Sequence, residues 1–267
     1  MKEAKTFTVI TGASRGLGKS LAIECAKRGR NIILVALPSE SILQTANKLS
    51  KKYNISAFGY ETDLTNEDNI NALAEWIKSN FVVDMLINNA GIGGTNNFIE
   101  AKPTYINTII QLNMKALVLL THHLLPILKS QKKSYILNVA SAAAFGPMPF
   151  KTVYPASKAF VSSFSRGLNA ELKGTTVSVS VAYPGGMATN PEIIKRMENY
   201  NGLIKSTFLS PEKVAQILIR QTLNQKTIIV PGFANKLSRL LFKFVPESWR
   251  LEMMSKNLKK EILITAV

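Results

Sequence analysis

The chain has 267 residues, 46% of them hydrophobic and 19% charged, enough to bury a full core as one large domain or two small ones. Its single cysteine, Cys25, excludes a disulfide framework and a cysteine-rich zinc site. The net charge of +16 favours anionic partners, but the basic residues are scattered over many segments, which argues for a basic enzyme and against a nucleic-acid binder.

The N-terminus MKEAKTFTVI lacks the apolar centre of a signal peptide, and no run of 18 apolar residues occurs. A cytoplasmic, reduced protein without a transmembrane helix is therefore expected. In chain order, strands are predicted at 6–11, 31–36, 55–61, 82–88, 134–140, 176–182 and 227–230. Helices are predicted between them near 16–29, 40–52, 67–80, 103–130, 153–173 and 211–224. Cys25 falls in the apolar stripe of the first helix, a core position. Gly29 suits that helix's end, Thr65-x-x-Asp68 a helix start, and Ser210-Pro211 an N-cap followed by proline at the first helical position.

Strands alternating with helices predict an α/β fold: a single doubly wound Rossmann domain over 1–230, with a seven-stranded parallel sheet and helices on both faces. Ligands of such sheets bind at the carboxyl ends of the strands. That rule directs attention to 12–18, 36–40, 62–64, 88–92, 139–142 and 184–190.

The first of these segments lies in TGASRGLGKS. Its end, Gly18-Lys19-Ser20, resembles a P-loop, but the spacing puts the loop's required first glycine at Ala13. The alternative, Gly12-x-x-x-Gly16-x-Gly18 between a strand and a helix, lets backbone approach a pyrophosphate at a helix N-terminus. Tyr154 and Lys158 are four apart near the start of a helix and share a face. An ammonium there would stabilise phenolate, so the pair suits proton transfer, with the Ser141 hydroxyl available to a substrate oxygen. His122 and His123 have no acidic or cysteine neighbour at ligand spacing, so no metal site is expected.

TGASRGLG, Asp63, NNAG at 88–91, Asn113, Ser141, YPASK at 154–158 and PGGMAT at 184–189 together resemble the short-chain dehydrogenase/reductase family, in its order and at its intervals. The basic C-terminal tail is similar to that of its ketoreductase-like branch. The resemblance implies a carbonyl–alcohol oxidoreductase. Tyr154 would be its general acid/base, Lys158 would lower the Tyr154 pKa and bind the nicotinamide ribose, Ser141 would orient the carbonyl, and Asn113 would hold a water of a proton relay. It also implies dinucleotide contacts from Gly12, Ser14, Arg15, Gly16, Leu17, Gly18, Asp63 (at the adenine amino group), Leu64, Asn89, Ala90, Gly91, Tyr154 and Lys158. Pro184, Gly185, Met187 and Thr189 would contribute on the nicotinamide side.

The second strand ends in ILVALPSE, with neither aspartate nor arginine at Leu37. Ser39 suits a phosphate, Glu40 would repel one if it points inward, and Arg15 occupies the position of a phosphate-binding guanidinium. NADP(H) is favoured, with NAD(H) the alternative. Phe145, Met148, Phe150, Met187 and a lid at 190–209 suggest an apolar or acyl-type ketone substrate. A homodimer or homotetramer is expected.

Residues 231–267 form a basic amphipathic extension in which Phe233, Leu237, Leu240, Leu241 and Phe244 alternate with Lys236, Arg239 and Lys243. It would pack on the core, on a subunit, or through 233–244 on an anionic membrane surface. Two rivals stand beside the enzyme: a dinucleotide-binding sensor or scaffold without turnover, disfavoured by the intact Ser141, Tyr154 and Lys158, and a P-loop phosphotransferase, disfavoured by Ala13.

Overall fold

The computed structural model describes residues 5–187, 208–241 and 244–265. Seven strands are β1 Thr6–Thr11, β2 Asn31–Ala36, β3 Ala57–Glu61, β4 Val82–Asn88, β5 Ser134–Val139, β6 Val177–Ala182 and β7 Ile228–Ile229. They form one sheet in the order β3-β2-β1-β4-β5-β6-β7, with every pairing parallel. Chain order reverses its direction of growth beside β1 and β4, the switch point at which a doubly wound sheet opens a crevice for a ligand.

The helices are α1 Gly16–Lys27, α2 Ile42–Tyr53, α3 Glu67–Asn80, α4 Pro103–Ile110, α5 Ala116–Lys129, α6 Val153–Glu171, α7 Pro211–Leu223, α8 Phe233–Leu241 and α9 Glu247–Thr265. Alternate strand residues feed two apolar layers, as the two-residue period requires. On one face Ile10, Leu34 and Leu137 pack with Leu21 of α1, Ala46 of α2 and Leu218 of α7. On the other, Val9, Val35 and Ile136 pack with Leu73 of α3 and Leu124 of α5. Cys25 is fully buried in the first layer, and loss of water pushes its thiol up to about 12.

Local signals place most boundaries. Gly29 follows α1 at φ +72°, and the Ser210 hydroxyl accepts from the Lys213 amide at 3.2 Å. At α3 the start differs from the sequence reading. Asn66, one residue after Thr65, is the cap, its side-chain oxygen accepting from the Asp68 and Asn69 amides. Thr65 is instead held by Asp63, whose Oδ1 accepts from its amide and hydroxyl at 2.9 Å.

The long helix expected at 103–130 is also modified. Between α4 and α5 the chain makes a π-helical turn, Gln111–Lys115. Such turns insert a residue into the helical ladder and redirect a side chain. The side chain in question is Asn113, which is 1% exposed.

Candidate active site

Two segments at the carboxyl edge of the sheet, the turn after β1 and the end of β4, are locked together. Gly12 leaves β1 at φ +64°, where side-chained residues are strained. A Cβ on Gly18 would lie 1.9 Å from the Gly12 carbonyl oxygen, and one on Gly12 would lie 2.9 Å from Cα of Ala90. The glycines thus allow α1 and the end of β4 to press against one turn. Asn89 fastens it: its Nδ2 donates to the carbonyls of Thr11 at 3.0 Å and Gly12 at 3.1 Å. The Thr11 hydroxyl in turn accepts from the amides of Asn89 and Ala90 at 3.0 Å.

The turn delivers Gly16 to the start of α1, whose cap residue Arg15 makes no side-chain cap bond and whose first turn carries no acidic residue. Such a start favours an anion. The P-loop alternative does not fit, because Ser20 is buried with its hydroxyl directed 3.4 Å from Glu212 Oε1 on α7. Leu17 and Leu64 are buried as supports of the crevice.

Glu40 points inward. It closes a short 3₁₀ turn, Pro38–Glu40, after β2, accepts a hydrogen bond from the Ser14 hydroxyl, and lies 3.5 Å from Arg15 Nη2. The Arg15 side chain is 84% exposed and the Glu40 side chain 20% exposed. Leu37, where a cofactor-selecting charge was sought, is exposed. The acidic residue at this corner is therefore Glu40, not one at Leu37.

At the other end of the crevice, α6 carries Tyr154 and Lys158 one turn apart. Ser141 follows β5, heads a 3₁₀ turn (Ala142–Phe145) by accepting from the Ala143 amide at 3.1 Å, and is hydrogen-bonded to the Tyr154 phenol. Lys158 is 5% exposed, and its Nζ donates to the Val139 carbonyl at 3.0 Å and lies 5.9 Å from the Tyr154 ring centre. Burial lowers the Lys158 ammonium from 10.5 to about 8. Burial also raises the Tyr154 phenol, and the Ser141 hydrogen bond opposes this only in part. The phenol therefore stands above its ordinary value, not below it as expected from Lys158, whose ammonium is engaged by the Val139 carbonyl of β5.

Asn113 occupies the floor. Its Oδ1 accepts from the Ile92 amide and its Nδ2 donates to the Ile92 carbonyl, both at 2.9 Å. Nδ2 also donates to Ser157 Oγ at 3.0 Å, and Ser157 donates to the Tyr154 carbonyl at 2.7 Å. Both amide hydrogens are therefore spent on protein, joining the β4 loop to α6. Two residues not singled out from the sequence belong here. Ser157 is the bridge just described, and a Cβ on Gly93 would lie 2.7 Å from the Tyr154 ring. The Gly-Ile-Gly-Gly run after Asn89-Ala90 was the available signal.

Gly91 is equally confined: a Cβ there would lie 3.0 Å from Asn113 Oδ1 and 3.2 Å from Lys158 Nζ. Below these loops Asn88 donates to Thr121 and Asn138, and Asn138 to Ser165, each at 2.9 Å. This buried amide chain fixes β4, β5, α5 and α6 together.

The glycine-loop, serine and tyrosine–lysine geometry agrees with sequence comparison, in which the short chain dehydrogenase family matches residues 6–198. The chain is a short-chain dehydrogenase/reductase. It is 34% identical over 200 residues to the very-long-chain 3-oxoacyl-CoA reductase of Anas platyrhynchos, covering 71% of this chain but only 62% of the relative. It is 29% identical to the NADP-dependent 3-hydroxy acid dehydrogenase of Schizosaccharomyces pombe, covering 85% of this chain and 90% of that one. Among solved structures, L-sorbose reductase of Gluconobacter frateurii with NADPH and L-sorbose superposes with a TM-score of 0.75 at 26% identity, over 85% of this chain and 95% of that one.

The remaining sequence candidates divide. The Pro184 carbonyl accepts from the Ala142 amide at 2.9 Å, and Gly185 is covered by Asn235 of α8. Met187 pairs with Leu209 and packs on the core, and Phe145 stacks on Tyr183 with ring centres 4.9 Å apart. Neither behaves as a free lid residue. Thr189 and the lid segment 190–207 lie outside the described residues. Among the described residues no cluster of His, Cys, Asp and Glu is arranged to hold a metal; His123 Nε2 is 2.9 Å from Asn71 Oδ1.

Proposed function

We propose that this dehydrogenase interconverts a carbonyl and a secondary alcohol with NADP(H). The observation that carries the reading is the set of half-buried Ser141 and Tyr154 with buried Lys158 at the open edge of the sheet. The set faces glycines, Gly91 and Gly93, that leave room where any side chain would intrude. The crevice suits a dinucleotide: Gly12, Gly16 and Gly18 admit a pyrophosphate to α1, and Ser14 and Arg15 stand where a 2′-phosphate is read. Ala90, Gly91, Lys158, Pro184, Gly185 and Met187 border the rest. When bound, NADPH supplies the hydride that reaches the carbonyl carbon. NADP(H) as the cofactor is supported by the NADP-dependent fission-yeast relative and by the NADPH-bound Gluconobacter reductase.

The Ser141 hydroxyl orients the carbonyl oxygen, and Tyr154 transfers its phenolic proton to that oxygen as the C–H bond forms, leaving an alcohol and a phenolate. The raised Tyr154 pKa fits this direction, since the group waits as a neutral acid. The Lys158 ammonium then stabilises the phenolate until solvent restores the proton. In the reverse reaction Tyr154 takes the alcohol proton.

Beside Tyr154 lies a shallow cleft, open to solvent and walled in part by Phe98, Tyr105, Ile106, Ile109 and Phe150. Its walls are mixed, with Asn96, Lys151 and Thr152 beside the apolar side chains, and the apolar part suits a ketone on an acyl chain. This reading is supported by the 3-oxoacyl and 3-hydroxy acid relatives. The test is NADPH and NADH oxidation over a panel of 3-oxoacyl thioesters, 3-oxo acids and simple ketones. Tyr154→Phe is expected to abolish turnover, by at least about a thousandfold, while NADPH binding by fluorescence persists. Substantial residual turnover would remove Tyr154 from the acid/base role.

A further inference from the structure

The helix pair α8–α9 is anchored to the protein on one side. Asn235 is 7% exposed, donates to the Pro231 carbonyl at 2.8 Å and covers Gly185. On α9, Arg250 Nη1 approaches to 3.2 Å of where a Cβ on Gly146 would stand, and Leu258 is buried. The other side carries Phe233, Leu237 and Leu240, spaced to share one face of α8 and exposed by 81%, 41% and 53%. Phe244 and Trp249 continue the apolar series at 77% and 70% exposure, followed by Met253 at 55%. These large side chains face solvent in succession along about twenty residues, which is uncommon for a surface without a partner. Between 231 and 267 the sequence places seven basic residues against three acidic ones, with Lys236 exposed in the middle of α8.

We propose that this outward face of α8 and α9 docks on an anionic lipid surface, its phenylalanine, leucine and tryptophan side chains entering the headgroup boundary while the basic residues meet lipid phosphates. Exposed phenylalanine and tryptophan side chains in a segment rich in basic residues are the composition that lies in a bilayer interface. Charge selects lipid over a second copy of the chain: a segment with seven basic and three acidic residues would meet the same excess of positive charge on its copy, whereas an anionic surface neutralises it. No helix among the described residues is long and apolar enough to cross a membrane, so the contact is peripheral. The docking stands apart from the reduction chemistry.

The experiment uses the full chain with sedimented vesicles of phosphatidylcholine alone or mixed with phosphatidylglycerol. Anionic vesicles are expected to bind at least roughly tenfold more protein, with the difference collapsing at high salt. Brominated lipid should quench Trp249 fluorescence, and the quenching should vanish in Trp249→Phe, because Trp76 is packed between Tyr60 and Phe81. The double variant Phe244→Ser/Trp249→Ser changes only exposed side chains and should lose vesicle binding while keeping NADPH binding and its circular dichroism. Equal recovery on both vesicle types, or an unchanged double variant, would overturn the proposal. So would a double variant whose mass by light scattering falls from dimer to monomer while the wild type ignores vesicles, since the face would then be a subunit contact.

Discussion

Lys158 shows how much function can cost a fold. Its ammonium is buried, and burial lowers it from the ordinary 10.5 to about 8. Between those values the unfolded chain binds more protons than the folded one, so stability rises as pH climbs from about 8 towards 10.5. Below about 8 the buried charge burdens the fold by on the order of 3 kcal/mol, from about 1.4 kcal/mol per pKa unit. Lys158→Met should therefore denature at higher urea than the wild type at pH 7, lose the stability gain above pH 8, and lose turnover. A variant less stable at pH 7 would show that the bond to Val139 outweighs desolvation. Glu40 is the second residue of consequence. Its carboxylate holds the Ser14 hydroxyl and the Arg15 guanidinium at the corner proposed for the 2′-phosphate. Like charges at that distance repel, so Glu40→Gln should tighten NADPH several-fold and leave NADH nearly unchanged, whereas Arg15→Ala should weaken NADPH more than NADH. Fluorescence titration with each cofactor decides it; parallel changes in both would place the phosphate elsewhere. The Tyr154–Lys158 pair and the glycine turn were legible from spacing, and Ser141 from the ordered motifs that resemble the family. The inward turn of Glu40 was not, because its direction depends on a 3₁₀ turn and on a partner 26 residues away.

At the scale of elements, two short segments decide the site. The first is the glycine turn between β1 and α1. Gly18→Ala would set a Cβ 1.9 Å from the Gly12 carbonyl and 2.6 Å from Asn89 Nδ2, so α1 must shift away from the turn. The expected result is a destabilisation of about 1–3 kcal/mol in urea, together with weakened binding of both NADPH and NADH, since the shifted helix start serves each. Normal binding of both would show that the turn tolerates a wider approach. The second is the π-turn at Gln111–Lys115, which interrupts what periodicity reads as one helix over 103–130. Apolar spacing reports only that 3.6-residue and 4.4-residue turns both keep a buried stripe. The difference appears when Asn113 is found bonded to Ile92 and Ser157. The cap of α3 teaches the same lesson on a smaller scale. Thr65 and Asn66 are both competent caps, and Asp63 decides between them by engaging Thr65.

The whole molecule combines a sheet buried on both faces with a strongly basic charge of +16. A field of that sign raises the encounter rate of an anionic dinucleotide. Stopped-flow binding should show the NADPH association rate falling severalfold from low to physiological salt while dissociation changes little; an association rate indifferent to salt would locate the charge away from the crevice. By itself the sequence determined the alternation of strands and helices, the parallel sheet, the glycine loop, and the order of Ser141, Tyr154 and Lys158. These depend on periodicity and short spacings, which are local quantities. The tertiary structure alone decided which way Glu40 turns, that Asn113 is spent on Ile92, that Tyr154 is raised and not lowered, and that α8–α9 leaves its apolar face to solvent. Each of these is set by groups far apart in the chain, whose burial and bonding exist only once the sheet has brought them together.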